Sequence, residues 1–226
     1  MHKIAIAQIS SSTEKAENLK AALFLTQEAR AKGAQLIAFP EFLMAFSPAS
    51  QTAEELAALA ESVDGSFVTA FRDAARAARI GILATIYERC SSSNRVYDTA
   101  VWIDNEGGIA AVYRKLHLYD AFGFKESDKF LAGDDIAPLV TNGDARIGIM
   151  ICYDLRFPEM AARACRHGRA GRNRDRRAGF GSCERDPAKT AAAQEPAHGG
   201  LPETLQVMNE LTAPSYIYNM PCKNPD

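Results

Sequence analysis

The order of apolar segments in this chain predicts an α/β fold built on a mixed sheet. Residues 3–9 alternate as a strand does, residues 19–26 repeat apolar side chains at helical intervals, and residues 35–39 form a short apolar run. A strand, a helix and a second strand in this order form a βαβ unit, whose strands are parallel. The later strands at 97–103 and 109–114 are joined by a short glycine-containing turn, which predicts antiparallel pairing there.

Turn and capping residues predict where the helices begin and end. Ser11 and Glu14 have the spacing of a capping box, which predicts the start of a first helix. Gly33 predicts the end of that helix. Thr52 and Glu55 repeat the same spacing before a second helix. Further elements are predicted as a helix over 66–79, a strand over 80–87, and a strand–turn–strand unit over 138–140 and 145–151.

Composition narrows the class of protein. The chain has 226 residues, which suits a single domain over 1–226, and a net charge of −2, which predicts no general attraction to nucleic acid or to anionic membranes. No apolar run approaches the roughly 20 residues of a membrane span, and no signal peptide is recognisable. The odd cysteine count and the lack of C-x-x-C pairs argue against a disulfide framework or a metal site. These features predict a cytoplasmic protein.

The stretch over residues 145–159 combines a buried strand with a reactive side chain. The apolar run ends at Cys152, and Phe157-Pro158-Glu159 then opens a helix, because proline is tolerated in the first helical turn. A thiol beside a helix N-terminus loses its proton more easily, since free N–H groups favour the thiolate. The alternative is that Cys152 is a small buried apolar residue, as free cysteines often are.

Two further polar residues follow apolar strands in the same way. Glu41 comes after the run ending at Phe39, and Lys115 comes after the run ending at Arg114. If Glu41, Lys115 and Cys152 meet at strand ends, the carboxylate can take the thiol proton and the ammonium can stabilise an oxyanion. The thiol then attacks a carbonyl or nitrile carbon to form an acyl-enzyme. The alternative is that Glu41 and Lys115 are two surface charges.

Three segments resemble the signatures of one known family, the nitrilase or carbon–nitrogen hydrolase superfamily. They are Phe39-Pro-Glu41, Tyr113-Arg-Lys115-Leu-His117 and the stretch from Ile151 to Glu159, which occur in this order. The third segment looks most like the amidase-type branch, which includes omega-amidases and deaminated-glutathione amidases. The resemblance covers residues 1–168 and implies a four-layer αββα sandwich that dimerises sandwich to sandwich.

The resemblance also implies roles for individual residues. Glu41 is the implied general base, Lys115 stabilises the oxyanion and the intermediate, and Cys152 is the nucleophile. Glu126 is the position that matches a further family glutamate. The backbone N–H of Tyr153 is the implied second oxyanion donor.

The implied reaction is hydrolysis of a small amide through a cysteine thioester, with release of ammonia and without a metal or organic cofactor. Arg156 is expected either to pair with a carboxylate of the substrate or to brace Asp154 or Glu159. Nitrilase and N-carbamoyl-amino-acid hydrolase activities stay open, because all of these enzymes share the triad.

The chain changes character after Ala164. Residues 163–177 contain seven arginines and one acid, and neither a helical nor a strand period is visible up to Gly200. We interpret residues 169–207 as an anomalous segment, read in a shifted frame, with family-like sequence again over 208–217. Such a disrupted C-terminal third would remove part of the dimer face and could leave an inactive relic of the family. A basic nucleic-acid-binding tail is the other alternative.

Overall fold

A computed structural model describes residues 3–142, 145–169, 204–208 and 217–218 of the chain. The helices are α1 (Lys15–Ala31), α2 (Ala53–Leu59), α3 (Ser66–Ala78) and α4 (Pro158–Arg169). The strands are β1 (Ile4–Gln8), β2 (Leu36–Ala38), β3 (Gly81–Arg89), β4 (Val96–Ile103), β5 (Ile109–Arg114), β6 (Asp120–Ala121), β7 (Phe124–Lys125), β8 (Phe130–Leu131), β9 (Val140–Asn142), β10 (Ala145–Ile149), β11 (Thr204–Met208) and β12 (Ile217–Tyr218). Most of the segments interpreted as frame-shifted (169–207) and family-like (208–217) lie outside the described residues.

The main sheet is mixed, as predicted. Its strand order is β11-β1-β2-β3-β4-β5, and β8 pairs with β4. Strands β1, β2 and β3 run parallel, whereas β4 and β5 follow as antiparallel neighbours. The βαβ unit and the hairpin-linked strands are therefore both confirmed. A second sheet has the order β12-β10-β9 and contains the predicted strand–turn–strand unit.

The start of α1 differs from the prediction. The helix begins at Lys15 with Glu14 as its N-cap, and no side chain caps it, so the capping box predicted at Ser11 and Glu14 is wrong. The buried Asn18 side chain instead accepts a hydrogen bond from the Ser12 N–H at 2.8 Å and donates one to the Ser12 carbonyl at 2.8 Å. A tertiary role of Asn18 thus replaces the local cap.

The other predicted helix signals are confirmed. Thr52 accepts a hydrogen bond from the Glu55 N–H at 3.2 Å, and the Glu55 carboxylate accepts one from the Thr52 N–H at 2.8 Å, which is a complete capping box. Gly33 ends α1 with a φ of 80°, a left-handed conformation that glycine adopts without steric cost. Phe67 and Phe71 of α3 are buried as expected.

Apolar clusters lie on both faces of the main sheet. One cluster joins the sheet to α1, α2 and α3, with Ile37, Phe71 and Ile82 among its members. The other joins the opposite face to β9, β10 and α4, with Trp102 and Ile147 among its members. This layering of helices, sheet and second sheet places the ends of β2, β5 and β10 close enough to share one site. No helix within the described ranges is long and apolar enough to cross a membrane.

Candidate active site

Glu41 stands on a turn that is fixed to the neighbouring strand. The hydroxyl of Thr85, on β3, donates to the Pro40 carbonyl at 2.9 Å and accepts from the Leu43 N–H at 3.1 Å. Phe42 completes the turn with a φ of 58°, a conformation that is uncommon for a residue with a side chain. The turn holds the Glu41 side chain inward, where it is 11% exposed.

Lys115 extends β5 by one residue and is the centre of the site. Its N–H donates to the Asp98 carbonyl at 2.9 Å, and its own carbonyl accepts from the Gly133 N–H at 2.8 Å. The side chain is 1% exposed. Its Nζ lies 2.7 Å from Glu41 Oε1, and 3.0 Å and 2.9 Å from the two carboxylate oxygens of Glu126. The ammonium therefore links two carboxylates that are 85 positions apart in sequence, at 41 and 126.

Glu126 is held by a short hairpin in the loop that follows Lys115. Strands β6 and β7 pair across a tip at Phe122 and Gly123, both of which have positive φ. The hairpin returns the chain to a 3-10 helix over Glu126–Asp128. There the Glu126 carboxylate accepts a hydrogen bond from the Tyr119 N–H at 2.8 Å, and the Glu126 N–H donates to the Tyr119 carbonyl at 3.1 Å.

Cys152 lies at a strained turn between β10 and a 3-10 helix over Cys152–Arg156. Its φ is 45°, in the left-handed region that side chains rarely adopt. Ile151, just before it, donates its N–H to the Asp154 carboxylate at 3.0 Å. The thiol lies near both Glu41 and Lys115, because the Glu41 charge raises its pKa and the Lys115 charge lowers it. The structure thus brings Glu41, Lys115 and Cys152 together.

Asp154 joins two of the sequence signatures, a role that was not identified from the sequence. It is 0% exposed, and its carboxylate accepts hydrogen bonds from the Tyr113 hydroxyl at 2.5 Å and from the His117 N–H at 3.0 Å. The His117 ring nitrogen Nδ1 lies 2.7 Å from the same carboxylate. Because Tyr113 and His117 flank Lys115, Asp154 fixes the position of Lys115 relative to Cys152. The signal that could have found it is an acid two residues after the cysteine.

Burial and neighbouring charges shift the pKa values of Lys115, Glu126 and Cys152. Burial alone would lower the pKa of Lys115, but the surrounding carboxyl groups, led by Glu41, outweigh burial and raise it. Burial also raises the pKa of Glu126, an effect that the Lys115 charge opposes. The pKa of Cys152 is raised as well, first by burial and then by the Glu41 charge, with Lys115 acting in the opposite direction. The predicted easy ionisation of Cys152 is therefore wrong, because burial and the Glu41 charge both raise the pKa of its thiol.

Tyr153 and Arg156 lie on the 3-10 helix that follows the cysteine. The N–H of Tyr153 is in the first turn, where N–H groups have no acceptor within the helix, and its ring packs edge-on against Tyr119 and Phe157. Arg156 is exposed and forms no ion pair with Asp154 or Glu159 within the described ranges. The bracing alternative for Arg156 is thus wrong, since Tyr113, His117 and Ile151 satisfy Asp154.

A small cavity opens beside Glu126. It has a volume of about 150 Å³ and is lined by aromatic rings and by polar groups. The lining includes Phe42, Phe124, Phe130, Ser47, Lys129 and Glu126. Such a mixture of apolar walls and a few polar groups is typical of pockets for small molecules. Within the described part of the chain, no group of three acidic, histidine or cysteine side chains has the arrangement of a metal site.

Asp98 is a third buried carboxyl group next to the site, and sequence reasoning missed it. It lies within β4 and is 2% exposed. Burial raises its pKa well above the usual range, and the Glu41 charge adds to the effect while Lys115 opposes it. An acid in the middle of the apolar run over 96–103 was the signal available in the sequence.

The family of the chain follows from its similarity to known proteins. The carbon-nitrogen hydrolase family model matches residues 3–170 of the 226-residue chain. The chain therefore belongs to the carbon-nitrogen hydrolase family, and the resemblance to the nitrilase superfamily is confirmed. The matched range contains Glu41, Lys115, Glu126 and Cys152.

Several relatives have similar sequences over this range. A hydrolase of Mycobacterium tuberculosis is 36% identical over 168 residues, which cover 74% of this chain and 58% of the relative. The deaminated glutathione amidase of Escherichia coli O157:H7 is 32% identical over 158 residues, covering 70% of this chain and 59% of the relative. The rat deaminated glutathione amidase is 31% identical over 174 residues, which cover 73% of this chain and 52% of the relative. The chain thus spans between 52% and 59% of the length of these relatives.

Solved structures of the same superfamily share the fold. The NitFhit protein of C. elegans superposes with a TM-score of 0.67 at 28% identity, covering 73% of this chain and 41% of that one. The NitN amidase from Nesterenkonia sp. AN1 superposes with a TM-score of 0.61 at 26% identity, and the superposition covers 74% of this chain and 64% of the amidase. The predicted nitrilase-like α/β fold class is therefore confirmed.

Proposed function

We propose that this chain hydrolyses the carbon–nitrogen bond of a small amide through a thioester on Cys152. The observation that carries the proposal is the placement of Lys115 Nζ at 2.7 Å from Glu41, with Glu41 also interacting with the Cys152 thiol. A base, a cation and a nucleophile thus share one buried site. In a mutant of the Nesterenkonia amidase, acrylamide has added at the active site cysteine, which supports the same role for Cys152.

The first half-reaction forms the thioester. Glu41 takes the thiol proton while the Cys152 sulfur attacks the amide carbon, and the carbonyl oxygen becomes an oxyanion. Lys115 and the Tyr153 N–H stabilise this oxyanion. The carbon–nitrogen bond then breaks, and the nitrogen leaves as ammonia with the proton returned by Glu41. Coupling proton transfer to attack suits a thiol whose pKa is raised by burial.

The second half-reaction releases the acid. The oxygen of a water molecule attacks the thioester carbon while a carboxylate, Glu41 or Glu126, takes a proton from that water. The carbon–sulfur bond breaks, the thiolate recovers a proton, and a carboxylic acid leaves. Glu126 keeps its carboxylate aimed into the site through Lys115 and Tyr119, which fits a role in positioning water and substrate.

Arg156 is proposed to bind the substrate at a distance from the reacting carbon. It is exposed on the 3-10 helix that begins at Cys152 and has no acidic partner within the described ranges. A guanidinium pairs well with a carboxylate through two parallel hydrogen bonds. Omega-amides of dicarboxylic acids carry such a group, so they are the substrate class that we propose.

A homodimer and a cytoplasmic location are proposals from the sequence.

Ammonia release from a panel of compounds tests the proposal. The panel contains simple amides, omega-amides, nitriles and N-carbamoyl amino acids, assayed with the wild-type chain and with Cys152→Ala. We expect release from amides, with the highest rate for omega-amides, and its loss in Cys152→Ala. Release that survives in Cys152→Ala, or a folded wild-type chain without release from any compound, would contradict the proposal.

A further inference from the structure

Asp98 is a carboxyl group buried behind the catalytic residues without a donor of its own. It lies in β4, opposite Tyr87 of β3, and its backbone carbonyl accepts the Lys115 N–H at 2.9 Å. Neither of its side-chain oxygens receives a hydrogen bond from an N–H or O–H group within the described ranges. An ionised carboxylate in such a place would be strongly disfavoured, because burial removes its water without providing donors.

The group that does reach Asp98 is another carboxylate. Glu41 lies close enough to Asp98 that its charge is, after burial, the main cause that raises the pKa of Asp98. Carboxylate oxygens are acceptors, so two carboxyl groups share a hydrogen bond only when one of them carries a proton. Glu41 already forms an ion pair with Lys115 Nζ at 2.7 Å, whereas neither side-chain oxygen of Asp98 has a hydrogen-bond partner within the described ranges. A proton shared between the two carboxyl groups is therefore best placed on Asp98.

The other groups that face Asp98 do not supply the missing donor. Lys115 directs its Nζ to Glu41 and Glu126. Glu126 adds only negative charge near Asp98. The hydroxyl of Tyr87 donates to the Ala45 carbonyl, and that of Tyr113 donates to Asp154.

We propose that Asp98 is a positioning residue that stays protonated at neutral pH and donates a hydrogen bond from its carboxyl group to the Glu41 carboxylate. This bond holds Glu41 between Lys115 and the Cys152 thiol. It also keeps the charge of the site at two carboxylates against one ammonium, because an ionised Asp98 would add a third carboxylate and oppose formation of the thiolate. The bond itself does not depend on the proposed function, whereas its catalytic consequence does.

Infrared spectroscopy tests the protonation without requiring turnover. In the wild-type chain at pH 7, we expect the carbonyl stretching band of a protonated carboxylic acid, shifted by carbon-13 labelling of aspartate side chains. The band disappears in Asp98→Asn. Absence of a labelled band in the folded wild-type chain, or its persistence in Asp98→Asn, would overturn the inference. The labelled wild-type chain carries the test even if the variant fails to fold.

Substitutions test the positioning role. Asp98→Asn keeps the size of the side chain and a donor, so ammonia release should stay within about threefold of wild type. Asp98→Ala removes the donor, and kcat should fall by about tenfold or more with KM little changed. Equal losses in the two variants, or full kcat in Asp98→Ala, would contradict the role. A wild-type chain that shows the band but releases no ammonia would retain the hydrogen bond and remove the proposed function.

Discussion

Lys115 shows how a single residue sets the charge of the site. Its side chain is fully buried, and its Nζ contacts the carboxylates of Glu41 and Glu126 within 3.0 Å. Buried charges are tolerated only when they are paired, so each of these groups depends on the others. We therefore expect both ammonia release and the free energy of unfolding to fall when the Lys115 ammonium is removed.

Lys115→Met tests this dependence. The substitution keeps an unbranched side chain but leaves two buried carboxylates without a cation, which should cost about 3–5 kcal/mol in the free energy of unfolding. Ammonia release should fall by about a hundredfold or more, because the oxyanion loses its partner. Urea unfolding and the ammonia assay measure the two effects. Lys20→Met, on the exposed side of α1, serves as the control, and equal effects in the two variants would refute the role of Lys115.

Glu41→Gln should lower both the pKa of the Cys152 thiol and the rate of ammonia release. The Glu41 charge is, after burial, the main cause that raises the pKa of Cys152, so its removal should move the thiol titration to lower pH. Ammonia release should nevertheless fall by about 10²–10⁴-fold, because the base is lost. Ultraviolet thiolate absorbance across a pH series gives the midpoint. A midpoint that moves to higher pH would contradict the assignment, and Glu54→Gln, at an exposed position, is the control.

At the scale of elements, Glu61 ties two helices together. Its carboxylate accepts the Phe67 N–H in the first turn of α3 at 2.9 Å and pairs with Lys15 of α1 at 2.6 Å. Burial would raise the pKa of Glu61, but the hydrogen bonds and the Lys15 charge together lower it. A carboxylate that caps a helix and meets a cation in this way stabilises the folded state only while it is ionised.

The stabilisation from Glu61 should therefore depend on pH. It is fully present above the unfolded-state pKa of about 4.3 and is lost as the pH falls through the lower folded-state pKa. Glu61→Gln should lower the free energy of unfolding by about 1–2 kcal/mol at pH 7, with a smaller difference below about pH 4. Denaturant unfolding at several pH values measures it, with Glu106→Gln in an exposed turn as the control. A difference that grows at low pH would contradict the sign.

At the scale of the whole molecule, the sequence predicts whatever depends on local periodicity. The βαβ unit, the hairpin and the ends of β2, β5 and β10 follow from apolar patterns, and these ends place Glu41, Lys115 and Cys152. The Asn18 contact at the start of α1, the Asp154 network and the burial of Asp98 depend on pairing between distant segments. The raised pKa of Cys152 escaped prediction for the same reason, because the surroundings that cause it are assembled by the fold.

The interpretation of residues 169–207 is tested at the level of the gene. The family match ends at residue 170, close to the start of the segment interpreted as frame-shifted. If the reading frame shifts near codon 168 and returns before about codon 208, a neighbouring frame should encode a strand rich in valine and isoleucine. Resequencing this region checks the expectation. Neighbouring frames that encode no such strand would show that the interpretation is wrong.

Peptide mass spectrometry of the quenched protein tests directly whether Cys152 forms a covalent acyl-enzyme. The wild-type chain is mixed with the best amide of the panel, quenched with acid during turnover, and digested. We expect a mass increase equal to that of the amide less ammonia, located on the peptide that contains Cys152 and absent from Cys152→Ala. Steady ammonia release without any adduct on Cys152, and with equal release by Cys152→Ala, would contradict the account.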